Sequence, residues 1–81
     1  MEFNEAAAAA VLRRLRKKRG LSQEVLSGLA AMARSHLSMV ETGDMLPTLP
    51  TLWRLAEAFD MRPSGLVALI EEEMEKMEKG D

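Results

Sequence analysis

Residues 22–43 read SQEVLSGLAAMARSHLSMVETG, and the order of caps, apolar positions and turn residues in this stretch decides the fold. Ser22 is a residue that accepts first-turn amide hydrogens, so a helix starts just after it. Val25 stands where a glutamate would complete the reciprocal cap, which leaves that cap half formed. Leu26, Leu29 and Ala30 make the inward stripe of a short helix that gives way to a tight turn at Ala31-Met32. Another helix follows from about Ala33, turns Leu37 and Val40 inward and ends at Thr42-Gly43. On its wheel Leu37, Val40 and Glu41 cluster on one side. Ser35, Ser38, Met39 and Thr42 cluster on the other, with Arg34 and His36 on the flanks.

The pattern remains helical on both sides of this stretch. Upstream, Asn4 is a candidate N-cap for a helix reaching Arg19, rich in alanine and ending in a cationic turn before Gly20. Leu12 and Leu15 share its inward face. Downstream, Gly43-Asp44-Met45-Leu46-Pro47 reads as a loop. Thr48 caps a fourth helix, where Pro50 is tolerated because first-turn amides have no intrahelical partner. Leu49, Leu52, Leu55, Ala56 and Phe59 repeat along it. Pro63 opens a fifth helix at its first position, and Leu66, Leu69, Ile70, Met74 and Met77 carry an apolar stripe along it. No alternating β-branched run suggests a strand. Five helices with short links predict an all-α domain. The expected division is an N-terminal helical extension over residues 1–11, a core domain over 12–70 and an acidic helix end over 71–81.

Length and composition narrow the function. At 81 residues the chain has room for one modest core. Without cysteine there is no disulfide or thiolate metal site, and a single histidine is too few for a His-based cluster. No metal and no cofactor are expected. The longest uncharged stretch is too short to span a membrane, and no secretory signal is present, so a cytoplasmic protein is expected. Serines are plentiful, but no nucleophile elbow or placed histidine base accompanies them, and no enzyme is expected. Glu71-Glu72-Glu73 reads as a solvated helix face. The net charge of −2 hides an asymmetry. Between residues 10 and 65 nine basic side chains face five acidic ones, whereas from Glu71 to Asp81 six acids face two lysines. The middle is basic, and local field matters more than total charge for attracting a polyanion.

Two short helices around a tight turn, the second closed by glycine, form a helix-turn-helix pattern. The pattern is filled by ordered blocks: Leu12-Arg13-Arg14-Leu15-Arg16, Arg19-Gly20-Leu21-Ser22-Gln23-Glu24, Leu26, Arg34-Ser35-His36-Leu37-Ser38, Val40-Glu41-Thr42-Gly43, Pro47-Thr48-Leu49 and Leu55-Ala56-Glu57-Ala58-Phe59. These resemble the phage-repressor-like, or XRE, family over residues 12 to 70. The resemblance implies a compact five-helix lambda-repressor-like domain with an extended C-terminal helix, whose third helix enters the major groove of double-stranded DNA. It implies a sequence-specific transcriptional regulator, a repressor in the first instance, working as a homodimer on a pseudo-palindromic operator. No small-molecule effector site is evident.

The expected DNA-binding residues are Gln23, Ala33, Arg34, Ser35, His36, Ser38, Met39 and Thr42; by that resemblance Ala33, Arg34, Ser35 and Met39 take the base-facing positions, while His36 contacts phosphate or is simply exposed. Arg34 suits the O6 and N7 of guanine, a contact worth about 1–3 kcal/mol of discrimination; the alternative is a solvated or phosphate-bound arginine. Ala33 or Met39 suits a thymine methyl. Gln23, in the first turn of the second helix, suits a phosphate, and Thr42 the DNA backbone. By the same resemblance Arg16 is expected to pair with Glu41 as a structural salt bridge. Trp53, Leu66, Ile70, Met74 and Met77 are the expected dimerisation residues, the last four as a stripe on the fifth helix; their other reading is core.

Three positions depart from the family pattern. Ala31 stands where glycine is common, at a cost of roughly 1–2 kcal/mol if the backbone there is left-handed. Ala33 replaces a Ser or Thr cap, losing about 1 kcal/mol. The loop carries Asp44-Met45-Leu46 in place of cations, which predicts a shallow salt dependence. Two alternatives stay open: an antitoxin or restriction-modification controller of the same fold, and a protein-interaction module presenting Met39, Met45, Leu46 and Trp53.

Overall fold

Helix starts and stops follow from local hydrogen bonding. The computed structural model describes residues 2–80; Met1 and Asp81, the outermost residues of the expected extension and acidic tail, lie outside the described residues. Among the described residues there are five helices: α1 (Glu5–Lys18), α2 (Gln23–Leu29), α3 (Arg34–Thr42), α4 (Leu49–Ala58) and α5 (Pro63–Lys79). Asn4 Oδ1 accepts the amides of Ala6 and Ala7 at 2.9 and 3.3 Å, Ser22 Oγ that of Val25 at 3.0 Å, and Thr48 Oγ1 that of Thr51 at 3.3 Å. Ala33 and Arg62 start α3 and α5 without a side-chain cap.

Four helices end in the same two-bond closure around a residue with positive φ. After α1, Gly20 (φ 68°) donates to the Lys17 carbonyl and Leu21 to that of Arg16, both at 3.0 Å. After α2 and α4 the left-handed residues are Ala31 (φ 54°) and Asp60 (φ 58°); after α3 it is Gly43 (φ 84°). The residue that follows decides where the chain goes next. Leu21, Met32 and Met61 are apolar and fold back against the core. Asp44 follows Gly43 and is polar, so this closure releases the chain into an exposed loop, Asp44 to Leu46.

One buried cluster joins all five helices: Ala7, Ala8, Val11 and Leu12 of α1, Leu26 of α2, Leu37 and Val40 of α3, Leu52, Leu55 and Ala56 of α4, and Leu66, Ile70 and Met74 of α5, with Ala30 and Phe59 at helix ends. Helix α1 packs on α3 and α5, α5 on α4, and α2 on α3 and α4. Residues 5–11 therefore belong to α1, and Ala7, Ala8 and Val11 among them to the core.

One inward assignment is corrected, that of Leu29, and two members of the apolar repeats, Leu49 and Met77, prove to be exposed. Leu29 is 59 % exposed, because the two-turn α2 buries the arc of Leu26, Ser27 and Ala30 and leaves Leu29 beyond its edge. Leu49 is exposed at the first position of α4, and Met77 lies past the last turn that the other helices cover. The fifth-helix dimer stripe is corrected as well. Leu66, Ile70 and Met74 are 0 %, 2 % and 8 % exposed, since α1 and α4 cover them. Side chains spent in their own subunit's core are not available to a partner.

Candidate nucleic-acid interface

Helix α3 is held by one face and presents the other. Leu37, Val40 and Glu41 are buried, while Arg34, Ser35, Met39 and Thr42 are exposed and His36 and Ser38 are half-buried. Arg34, Ser35, Ser38 and Met39 line one shallow concavity along the helix. Ala33 precedes it in extended conformation (φ −68°, ψ 143°), also exposed, and leaves the first turn of α3 uncovered by any side-chain cap. A side chain at the start of α3 and one a turn later thus share a surface, the arrangement a groove-reading helix needs.

The other sequence-derived candidates stand elsewhere. Thr42 Oγ1 lies 3.0 Å from the Met39 carbonyl and 2.8 Å from Asp44 Oδ2, so its hydroxyl is engaged within the subunit. Gln23, on α2, donates from Nε2 to Glu41 Oε1 at 3.1 Å. Trp53 lies apart, on an α4–α5 face with Leu49, Pro63, Ser64, Val67, Ala68 and Glu71.

Behind α3 the basic run of α1 acts as a set of fasteners. Arg16 Nε and Nη2 reach the two carboxylate oxygens of Glu41 at 2.7 and 3.0 Å, and Arg16 Nη1 donates to the Leu21 carbonyl at 2.9 Å. Arg13 donates to the backbone carbonyl of the same Glu41 at 2.7 Å. Arg14 pairs with Glu73 of α5 at 3.1 Å. Arg19 donates to the Phe59 carbonyl and lies over its ring, 5.5 Å from the centroid. Four of the six cations between residues 13 and 19 are thereby committed to α3, α5 or the end of α4. Lys17 and Lys18 are exposed and have no hydrogen-bond or ion-pair partner among the described residues. Arg54 of α4 donates to the Ala30 carbonyl at 3.0 Å and closes the end of α2.

These fasteners were beyond sequence reasoning, apart from Arg16. Two of their acceptors are backbone carbonyls at helix ends, and such groups leave no mark in residue identity. A faint signal existed for Arg13 and Arg16, whose three-residue spacing puts them on one face of α1. Among the described residues no buried side-chain nitrogen or oxygen lacks a hydrogen-bond partner, so Glu41, although 2 % exposed, is fully compensated.

Comparison with known proteins places this arrangement. The HTH_3 helix-turn-helix family model matches residues 12–66. The HTH-type transcriptional regulator y4dJ of Sinorhizobium fredii is 36 % identical over 59 residues, covering 73 % of this chain and 77 % of that protein. Among solved structures, the restriction-modification controller protein C.AhdI of Aeromonas hydrophila is 37 % identical with a TM-score of 0.73, over 76 % of this chain and 94 % of that one. An HTH_3 family transcriptional regulator of Vibrio cholerae is 32 % identical with a TM-score of 0.74, over 80 % of this chain and 36 % of that one. The controller C.Esp1396I shares the fold over 94 % of this chain at a TM-score of 0.82, with 18 % identity. Matched by the family model over well more than half its length, with α2, the tight turn and α3 all inside the matched residues, the chain belongs to the helix-turn-helix (XRE) family of transcriptional regulators.

Proposed function

We propose that this protein is a sequence-specific, double-stranded DNA-binding transcriptional regulator that lays α3 in the major groove. The observation that carries the reading is the two-faced packing of α3. Leu37, Val40 and Glu41 tie it down, while Arg34, Ser35, Ser38 and Met39 share the open surface. Arg34 reads a guanine through its fork, Ala33 and Met39 offer apolar contact to a thymine methyl, and Ser35 and Ser38 have hydroxyls for base or phosphate. His36 on the flank and Gln23 on α2 contact phosphates and set the register of α3. Thr42 reaches the DNA backbone only if its hydroxyl leaves the Met39 carbonyl and Asp44 Oδ2, which it meets within the subunit. A DNA ligand fits a cytoplasmic location, and no helix among the described residues is long and apolar enough to cross a membrane.

A homodimer on a pseudo-palindromic site fits this surface. The side chains available for it differ from the fifth-helix stripe expected from sequence. Leu49, Trp53 and Val67 are 63 %, 51 % and 43 % exposed on the α4–α5 face and form a group of apolar side chains open to a second copy. Trp53 is the central member, and Leu49 and Val67 take the place of Leu66, Ile70 and Met74.

Likeness to C.AhdI, at 37 % identity over 94 % of that chain, favours one narrower reading, a restriction-modification controller. Selection of bound duplexes from a random pool at fixed salt tests the main proposal. Enrichment of a site with two-fold symmetry is expected; a pool that stays random contradicts it.

A further inference from the structure

One bond in the Glu41 cluster is not needed to fasten α1 to α3. Gln23 Nε2 donates to Glu41 Oε1 at 3.1 Å, the oxygen that Arg16 Nη2 also reaches, at 3.0 Å. An ionised carboxylate only accepts, so this bond decides which end of the Gln23 amide faces inward. It uses one of the two Nε2 hydrogens. The second remains available on a residue that is only half-buried.

We infer that Glu41 is a positioning residue for DNA-backbone binding, holding the Gln23 amide so that its second N–H meets a phosphate. The inference rests on the phosphate-contact reading of Gln23 given above. Glu41 is 2 % exposed and touches no DNA itself; it acts through Gln23. Arg16 makes this tolerable for an anionic ligand. Its two-bond pairing cancels the carboxylate charge that would repel the phosphate, and its third bond, to the Leu21 carbonyl, keeps the guanidinium in place beside the start of α2. A free glutamine side chain loses rotamer freedom when it clamps a ligand, whereas one already held loses less and binds more tightly. The same carboxylate sits on α3, so one group couples the helix that grips the backbone to the helix that reads bases.

The test uses the full chain and a duplex selected by the wild-type protein, with single uncharged methylphosphonates replacing each phosphate in turn. Wild type is expected to show one phosphate per half-site whose replacement weakens binding about tenfold, and Gln23→Ala removes the sensitivity at that phosphate alone. Glu41→Leu, which has no acceptor, is expected to remove the same sensitivity and no other. Because Glu41→Leu strands Arg16, a second variant replaces both members of the pair with apolar side chains of similar length, Arg16→Met with Glu41→Leu, which preserves packing. It too is expected to lose that one phosphate. A purely structural role lowers affinity for every duplex alike and leaves the pattern across phosphates unchanged. An unchanged pattern in folded Glu41 variants, with a changed one in Gln23→Ala, overturns the positioning role alone. An unchanged pattern in Gln23→Ala overturns the clamp and its positioning together. Side-chain ¹⁵N relaxation of wild-type Gln23 in the absence of DNA needs no variant: a restricted amide is expected, and a freely moving one overturns the inference.

Discussion

Arg16 and Glu41, 25 residues apart in sequence, meet through two hydrogen bonds of 2.7 and 3.0 Å in a pocket that leaves the glutamate side chain 2 % exposed. This pair joins α1 to the C-terminal turn of α3. Arg16→Ala strands a buried carboxylate, a change that costs about 3–5 kcal/mol in comparable pairs. Urea unfolding is expected to show that loss, and DNA affinity is expected to fall with it. Reduced affinity at unchanged stability would contradict the structural role.

Ala31 has φ 54°, a conformation that costs a residue with a β-carbon roughly 1–2 kcal/mol. Glycine removes that strain but adds freedom to the unfolded chain, worth about 0.4–1 kcal/mol in the opposite direction. Ala31→Gly is expected to raise stability by about 0.5–1 kcal/mol net. Thermal unfolding decides it: a lowered midpoint shows that the turn is not strained.

The salt dependence of DNA binding is expected to be shallow. Arg13, Arg14, Arg16 and Arg19 are engaged with groups of their own subunit, and the loop after α3 offers Asp44 in place of a cation. Each neutralised phosphate contributes about 0.9 to the slope of log affinity against log salt. A titration implying about eight or more phosphates per subunit would show that the fastened arginines are released on binding.

Val67 is 43 % exposed on the α4–α5 face, so its replacement leaves the core intact. Val67→Glu puts an unpaired charge into the proposed homodimer contact. Sedimentation is expected to show dimers for wild type and monomers for the variant at micromolar concentration. A variant that dimerises as well as wild type moves the interface elsewhere.

Helix boundaries were legible because their signals are local. Asn4, Ser22 and Thr48 cap the helices that follow them, and Gly20 and Gly43 take the left-handed conformation after α1 and α3. The two faces of α3 were legible for the same reason, since helical period alone separates Leu37 and Val40 from Ser35 and Met39. What covers an apolar stripe is not local. Leu66, Ile70 and Met74 have the spacing of an interface and of a core alike, and the decision came from α1 and α4 packing over them. The alanines at 7 and 8 gave no hint of this, because alanine serves a solvated helix as well as a close helix contact. The basic run misled in the same way: charge is visible in sequence, whereas its acceptors, the Glu41 and Phe59 carbonyls, emerge only from the fold. Gln23 was read as a phosphate ligand by resemblance, and its bond to Glu41 was visible only once α2 and α3 were placed together.

The reading role of α3 is tested most directly by comparing the duplexes selected from one random pool by wild type and by Arg34→Ala. Arg34 is exposed and its side chain makes no hydrogen bond or ion pair among the described residues, so the variant is expected to fold as wild type does. Discrimination worth about 1–3 kcal/mol should vanish at one base pair in each half-site, related by the two-fold axis, while the rest of the motif is kept. An identical motif from both proteins would contradict the account, because the most capable base-reading side chain on α3 would then read nothing.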